Sequence, residues 1–290
     1  VSANGIRLHV AECGPESGPD GPGPVLLLHG FPEFWWSWRH QLTALGAAGH
    51  HVLAPDLRGY CGSDRPPRGY DLWTLAGDVA GLVRALGARR VTIVGAGWGG
   101  AIAWAVAALH PRVVSRLVVV ATPHPLALRR AVRRRPWRHA AALGDVAFFQ
   151  LPRLPERALR RDGGARAREL LAAGSGPDWP EAPEFDRVAA VHAAAILTPR
   201  TSHCALEYFR WAVRSQGRPD GHRFARAIDR RVEVPVLTLH GDADPWVPED
   251  LARASARWAP GHEFLTVPGA GHFPHQEAPR HVTEVLLRRL

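Results

Sequence analysis

The sequence predicts an α/β protein in which a mostly parallel central sheet is flanked by helices and interrupted by a helical insertion. Three observations carry this. Short, continuous apolar runs of strand length alternate with segments of helical spacing, the pattern of a parallel sheet covered on both faces. The alternation stops near residue 123, resumes near 232, and contains no strand-like run between. One strand runs straight into a glycine-rich corner and then a helix, at Val91-Thr92-Ile93-Val94-Gly95-Ala96-Gly97-Trp98-Gly99-Gly100.

In chain order, residues 6–10 alternate apolar and polar and read as an edge strand. Residues 25–29 form a continuous apolar run stopped by Gly30, the mark of a strand buried on both faces. A helix is expected over 37–48 and a second buried strand over 51–54, ahead of Pro55-Asp56. Residues 72–86 have helical spacing and stop at Gly87, which suits a left-handed C-terminal position. Short strands are expected at 91–94 and 117–120, with a helix over 101–110 between them. The Arg- and Ala-rich stretch that follows is cut by Pro136, Pro152, Pro155 and Pro199. A strand at 236–239, a helix at 249–258, a strand at 264–267 and a helix at 279–290 close the chain. The expected organisation is a core domain made of residues 1–122 and 232–290, with a helical cap, or lid, formed by 123–231. The Gly/Pro stretch 14–24 reads as a surface loop.

Composition bounds the function. With 290 residues, 46% of them hydrophobic and 22% charged, the chain can bury a large core. No apolar run approaches the roughly 20 residues of a membrane span. No secretory leader is expected, since residues 1–15 carry no charged-then-apolar pattern. Cys13, Cys61 and Cys204 form no metal spacing and leave an odd count, which points to a reducing, cytoplasmic compartment. The net charge is +9 and every one of the 36 basic residues is Arg. The densest cluster, Arg129-Arg130 through Arg133-Arg134-Arg135 to Arg138, holds Trp137 but has no nucleic-acid module around it. It reads as a solvated helix face. Neither nucleic acid nor membrane is expected as a partner, no metal or cofactor is expected, and the chain is expected to be a monomer or homodimer.

Residues able to do chemistry lie after the carboxyl ends of the expected strands, where open α/β sheets place their sites. The strand–corner–helix at 91–101 has the form of a nucleophile elbow, which lifts one side chain out of the sheet. Its tip is Gly97, which has no side chain to lift. Gly95, Gly97 and Gly100 also satisfy the spacing of a dinucleotide fingerprint, but that motif needs an acid about 20 residues on. No acidic residue occurs between 101 and 144. The loop His29-Gly30-Phe31-Pro32 brings backbone N–H groups near the elbow, and Phe31 with Trp98 would supply oxyanion donors. Asp244 and His272 follow in the order acid then histidine, the order of a base oriented by a carboxylate.

These motifs resemble the α/β-hydrolase-fold epoxide hydrolases along nearly the whole chain, and especially an actinobacterial branch. The similarity rests on the segments His29 to Trp36, Asp56-Leu57-Arg58-Gly59-Tyr60-Cys61-Gly62-Ser63-Asp64, Phe149 to Glu156, Leu206 to Trp211, and Gly271-His272-Phe273-Pro274. The resemblance implies an elbow Asp that opens the epoxide and forms an ester. It further implies a His–Asp pair that activates water to hydrolyse that ester, and two cap tyrosines that hold the epoxide oxygen. Trp98 matches the Trp that follows the nucleophile. The departures fall on the chemistry: Ala96-Gly97 replaces His-Asp, Phe209 stands at one cap tyrosine, and Asp145 aligns with the other. Tyr208 is the nearest phenol, but one residue along a helix turns a side chain by about 100°.

The expected protein is thus a divergent hydrolase or lyase in which the His272–Asp244 dyad acts as general base on a hydrophobic small molecule. Asp145 would face inward in place of a phenol. The substrate pocket would draw on His29, Pro32, Trp36, Phe149, Tyr208 and Phe209, with Phe31, Trp35, Trp98 and Phe148 also lining it. Two alternatives are a silent pseudo-hydrolase that binds an apolar ligand and an engineered nucleophile knock-out.

Overall fold

A computed structural model describes residues 1–16 and 23–290, so the middle of the expected loop at 14–24 lies outside the described residues. Two short strands, β1 (Ser2–Ala3) and β2 (Ile6–Arg7), pair as a hairpin. The main sheet has seven strands: β3 (Val10–Cys13), β4 (Val25–Leu28), β5 (Val52–Pro55), β6 (Val91–Ala96), β7 (Val114–Val120), β8 (Val236–Gly241) and β9 (Glu263–Val267). They lie in the order β3-β5-β4-β6-β7-β8-β9, with β3 antiparallel and the others parallel. The edge strand expected at 6–10 is corrected: Ile6–Arg7 pairs with Ser2–Ala3 in the hairpin, and only Val10–Cys13 joins the main sheet.

The central strands are buried along most of their length because both faces are covered. Leu26, Leu28, Ile93, Leu117 and Val119 pack in one core with α2 (Leu72–Ala85) and α3 (Trp98–Leu109). Their neighbours Val25, Leu27, Val94, Val118 and Val120 join a second core. That core also holds Leu42 and Leu45 of α1 (Arg39–Ala47) and Val282 and Leu286 of α13 (Pro279–Arg289). Asp71 caps α2 by accepting the Thr74 N–H, and Gly87 follows the helix with φ +67°.

Between β7 and β8 the chain is helical and carries no strand. The helices are α4 (Pro125–Arg134), α5 (Ala140–Phe148), α6 (Leu154–Arg160), α7 (Ala165–Gly174), α8 (Phe185–Leu197), α9 (Thr201–Arg214) and α10 (Pro219–Ile228). After β8 come α11 (Glu249–Arg253), shorter than the helix expected at 249–258, and the unanticipated α12 (Pro274–Glu277). Among the described residues no helix is long and apolar enough to cross a membrane.

Candidate functional site

The corner after β6 is built by close backbone packing. A Cβ on Gly95 would lie 2.4 Å from the Gly99 carbonyl oxygen, and one on Gly99 would lie 2.1 Å from that of Leu28. Those glycines are required by space. Gly97 differs from them: its φ of +51° and ψ of −118° give the strained elbow conformation, yet a Cβ there meets only Gly30 Cα at 3.4 Å and His272 Nε2 at 3.7 Å. A side chain at 97 would have room, and it would point at a histidine.

That histidine sits in the loop between β9 and α12. His272 Nδ1 lies 2.8 Å from Asp244 Oδ2, and Asp244 is fully buried. The other Asp244 oxygen accepts the Trp246 and Val247 N–H groups at 2.8 and 3.0 Å. The carboxylate is thus fixed by its own loop and directs one oxygen at the ring. Burial disfavours the imidazolium, but the charge and hydrogen bond of Asp244 outweigh it, helped by Glu33 and Glu277, and hold the His272 pKa above its ordinary value. The structure brings these two expected residues together.

Glu277 anchors the loop. It accepts the N–H groups of Gly271 and Gly176 at 2.8 Å and of Phe273 at 2.9 Å, and the His272 N–H donates to the Gly174 carbonyl at 2.7 Å. Gly174 and Gly176 belong to the helical insertion, so the base loop is tied to it directly. Trp246, whose ring centroid lies 4.9 Å from that of His272, forms a further wall.

Above the elbow lies an aromatic cluster. Phe209 of α9 packs edge-on to Phe31, Trp98 and Phe149 with centroids 5.1–5.2 Å apart, and Phe31 meets Phe149 at 5.8 Å. Phe31 precedes Pro32 through a cis peptide bond. Among the described residues the Phe31 N–H has no hydrogen-bond acceptor, and the Trp98 N–H heads α3, where no intrahelical acceptor exists.

Four expected site residues are placed elsewhere. His29 is fully buried and both ring nitrogens are occupied, Nδ1 by the Gly30 carbonyl at 2.8 Å and Nε2 by the Leu57 N–H at 3.0 Å. It shapes the loop and has no atom free for a ligand. Tyr208 is also fully buried; its hydroxyl donates to the Arg58 carbonyl at 2.7 Å and its ring packs on Tyr60, Tyr70 and Trp98. The one-residue offset turns the phenol into the core. Asp145 does not stand in for a phenol, because its carboxylate pairs with Arg166 on α7. Trp36 stacks under the Arg39 guanidinium at 4.0 Å and packs with Trp179 and Phe185 of the insertion and Phe273 of the base loop.

A second buried group went unread in the sequence. Glu33, 1% exposed, accepts the Gly30 N–H at 3.1 Å, Gln276 Nε2 at 2.7 Å and a hydrogen bond with His275 Nε2 at 2.9 Å. Gln276 Oε1 in turn meets His192 of α8 and Arg39. Burial opposes the charge of Glu33, but His275, with His192 and His29 behind it, pushes its pKa down to about 2. One carboxylate thereby joins the Gly30–Phe31 loop to the His272 loop. The only sequence signal was an acid inside the motif His-Gly-Phe-Pro-Glu.

Comparison with known proteins agrees with this geometry. A family described as alpha/beta hydrolase fold matches residues 23–279. Epoxide hydrolase A of Mycobacterium tuberculosis is 33% identical over 100% of this chain and 96% of its own length. The AB hydrolase superfamily protein YfhM of Bacillus subtilis is 31% identical with the same coverage. The crystal structure of epoxide hydrolase A from Mycobacterium thermoresistibile superposes with a TM-score of 0.80 at 29% identity, covering 100% of this chain and 96% of that one. Elbow, acid loop, histidine loop and inserted helices thus share one source: the chain belongs to the α/β-hydrolase fold family, among its epoxide hydrolase-like members.

Proposed function

We propose that this protein hydrolyses an apolar, epoxide-like or ester-like small molecule by direct attack of water, with His272 as general base and no covalent intermediate. The observation that carries the reading is the space beside His272 Nε2. The position a nucleophile's Cβ would take lies 3.7 Å from that nitrogen and is walled by Gly30 Cα, and the Asp244–His272 pair behind it is intact. A water seated over Gly97 would donate to Nε2. As it attacks, His272 takes its proton, a new carbon–oxygen bond forms, and the strained or ester carbon–oxygen bond breaks. The proton returns to the departing oxygen and restores neutral His272; with an ester, the Phe31 and Trp98 N–H groups would take the charge that develops on the carbonyl oxygen. Asp244 holds the ring in the tautomer that presents Nε2 as acceptor and stabilises the imidazolium.

The aromatic cluster of Phe31, Phe149, Phe209 and Trp98 favours an apolar substrate but offers no hydroxyl to the leaving oxygen. The same cluster supports a second reading, a binding protein whose dyad hydrogen-bonds its ligand. A single-turnover assay in ¹⁸O-water over aryl and alkyl epoxides and simple esters separates them. Direct attack puts solvent oxygen into the product of the first turnover, and His272→Ala lowers the rate by about two to four orders of magnitude. Enzyme-derived oxygen in that product would overturn the mechanism. Tight binding without turnover across the panel would leave the binding reading.

A further inference from the structure

The segment from Arg133 to Arg138 is exposed at every residue, in the order Arg-Arg-Arg-Pro-Trp-Arg. Trp137, just past α4, is 70% exposed, far beyond any other large apolar side chain described, and Leu128 in the first half of α4 is 41% exposed. Beside them lies an open groove of about 600 Å³ between α4 and the α11 region. It is lined by Arg130, Arg134, Arg135, Arg138 and Arg257 against the single acid Asp250. Arg138 pairs with Asp250 and Arg130 with Asp229, whereas among the described residues Arg133, Arg134 and Arg135 make no ion pair.

A solvated helix face explains the arginines but not an indole held out among them. Exposed Trp beside clustered Arg is the composition of elements that lie in a bilayer interface, where the indole sits at headgroup level and the guanidiniums meet lipid phosphates. Nucleic acid would use the same cations, but a lone protruding indole and one exposed Leu on the preceding helix offer apolar area to bury rather than a run of stacking platforms. The chain's net charge of +9 adds long-range attraction to an anionic surface.

We propose that the α4–Trp137 face docks the protein on an anionic lipid surface, with lipid phosphates in the arginine groove and Trp137 and Leu128 entering the headgroup layer. The docking lies on the membrane and needs no spanning helix.

The test is co-sedimentation of the full chain with vesicles of phosphatidylcholine alone and of equal parts phosphatidylcholine and phosphatidylglycerol. Binding to the anionic vesicles only is expected. Arg134→Ala with Arg135→Ala should weaken it about 20- to 30-fold, a surface arginine being worth about fivefold. Trp137→Ala should weaken it about tenfold and leave its salt dependence unchanged. These side chains are exposed, and unchanged circular dichroism and melting temperature will show that the variants fold. Arg160→Ala with Arg161→Ala, two exposed arginines elsewhere on the insertion, should leave binding as it is. The proposal fails if this control weakens binding as much as the groove pair, if Trp137→Ala has no effect, or if DNA at equal salt competes the protein off the vesicles.

Discussion

Gly97 and His272 face each other: the Cβ direction of the first leads to Nε2 of the second at 3.7 Å, with only backbone at its side. The elbow tip carries no side chain, yet its Cβ direction is aimed at the imidazole. This relationship separates the chemistry the fold could carry from the chemistry this chain carries, and it can be tested by putting the side chain back.

Gly97→Asp should fold, because the nearest atoms leave ordinary contact distances. A non-glycine residue at φ +51° carries strain of about 1–3 kcal/mol, which should appear as a lower melting temperature. Incubated with an aryl epoxide, the variant should form the ester only slowly and show little turnover, because Phe209 gives the ring oxygen no donor. Adding Phe209→Tyr should raise turnover by about two to four orders of magnitude. Full activity from Gly97→Asp alone would falsify the role assigned to Phe209.

The base should titrate above the usual imidazole value of about 6.5, since Asp244 overcomes the effect of burial. Neutral His272 is the active form, so turnover should rise with pH through that raised value. Asp244→Asn should move the limb to lower pH and lower its plateau, which NMR titration of the ring can follow without any substrate. The linked stability has the opposite sense: it is complete below about 6.5 and is lost as pH rises through the raised pKa.

Glu33 should matter for stability more than its position in a loop suggests. Its pKa is held at about 2 against an ordinary 4.5, so its contribution is present above 4.5 and fades as pH falls toward 2. Glu33→Ala leaves His275 and Gln276 without their acceptor and should cost about 3–5 kcal/mol in urea unfolding at neutral pH. At a pH near 2 the gap between variant and parent should narrow; a constant gap would mean the carboxylate's charge is irrelevant.

Tyr208→Phe distinguishes a core phenol from a catalytic one. Removing the hydroxyl strands the buried Arg58 carbonyl and should destabilise the fold by about 1–3 kcal/mol. Turnover per folded molecule should stay the same.

The strands were legible because a doubly covered sheet writes its burial as unbroken apolar runs, as in Val25–Leu28. The dyad was legible because its members follow successive strands in a fixed order. What sequence reading missed are contacts made across long stretches of chain. Glu33 meets His275 at a separation of 242 residues, and no local pattern distinguishes it from a solvated loop acid. Asp145 pairs with Arg166, 21 residues on along the chain but adjacent in space, a partner that no local pattern announces. His29 sat in the right motif, yet its ring nitrogens are spent holding the loop.

The three N–H groups gathered by Glu277 have a mechanical meaning. Two belong to the base loop and one to the inserted helices, so the same carboxylate holds both. Swinging that end of the insertion away from the sheet would drag the base with it. On the far side α9 is tied as well, through the Tyr208 hydroxyl on the Arg58 carbonyl, so the insertion is fastened at both flanks and the base is assembled by the same bonds that seat it.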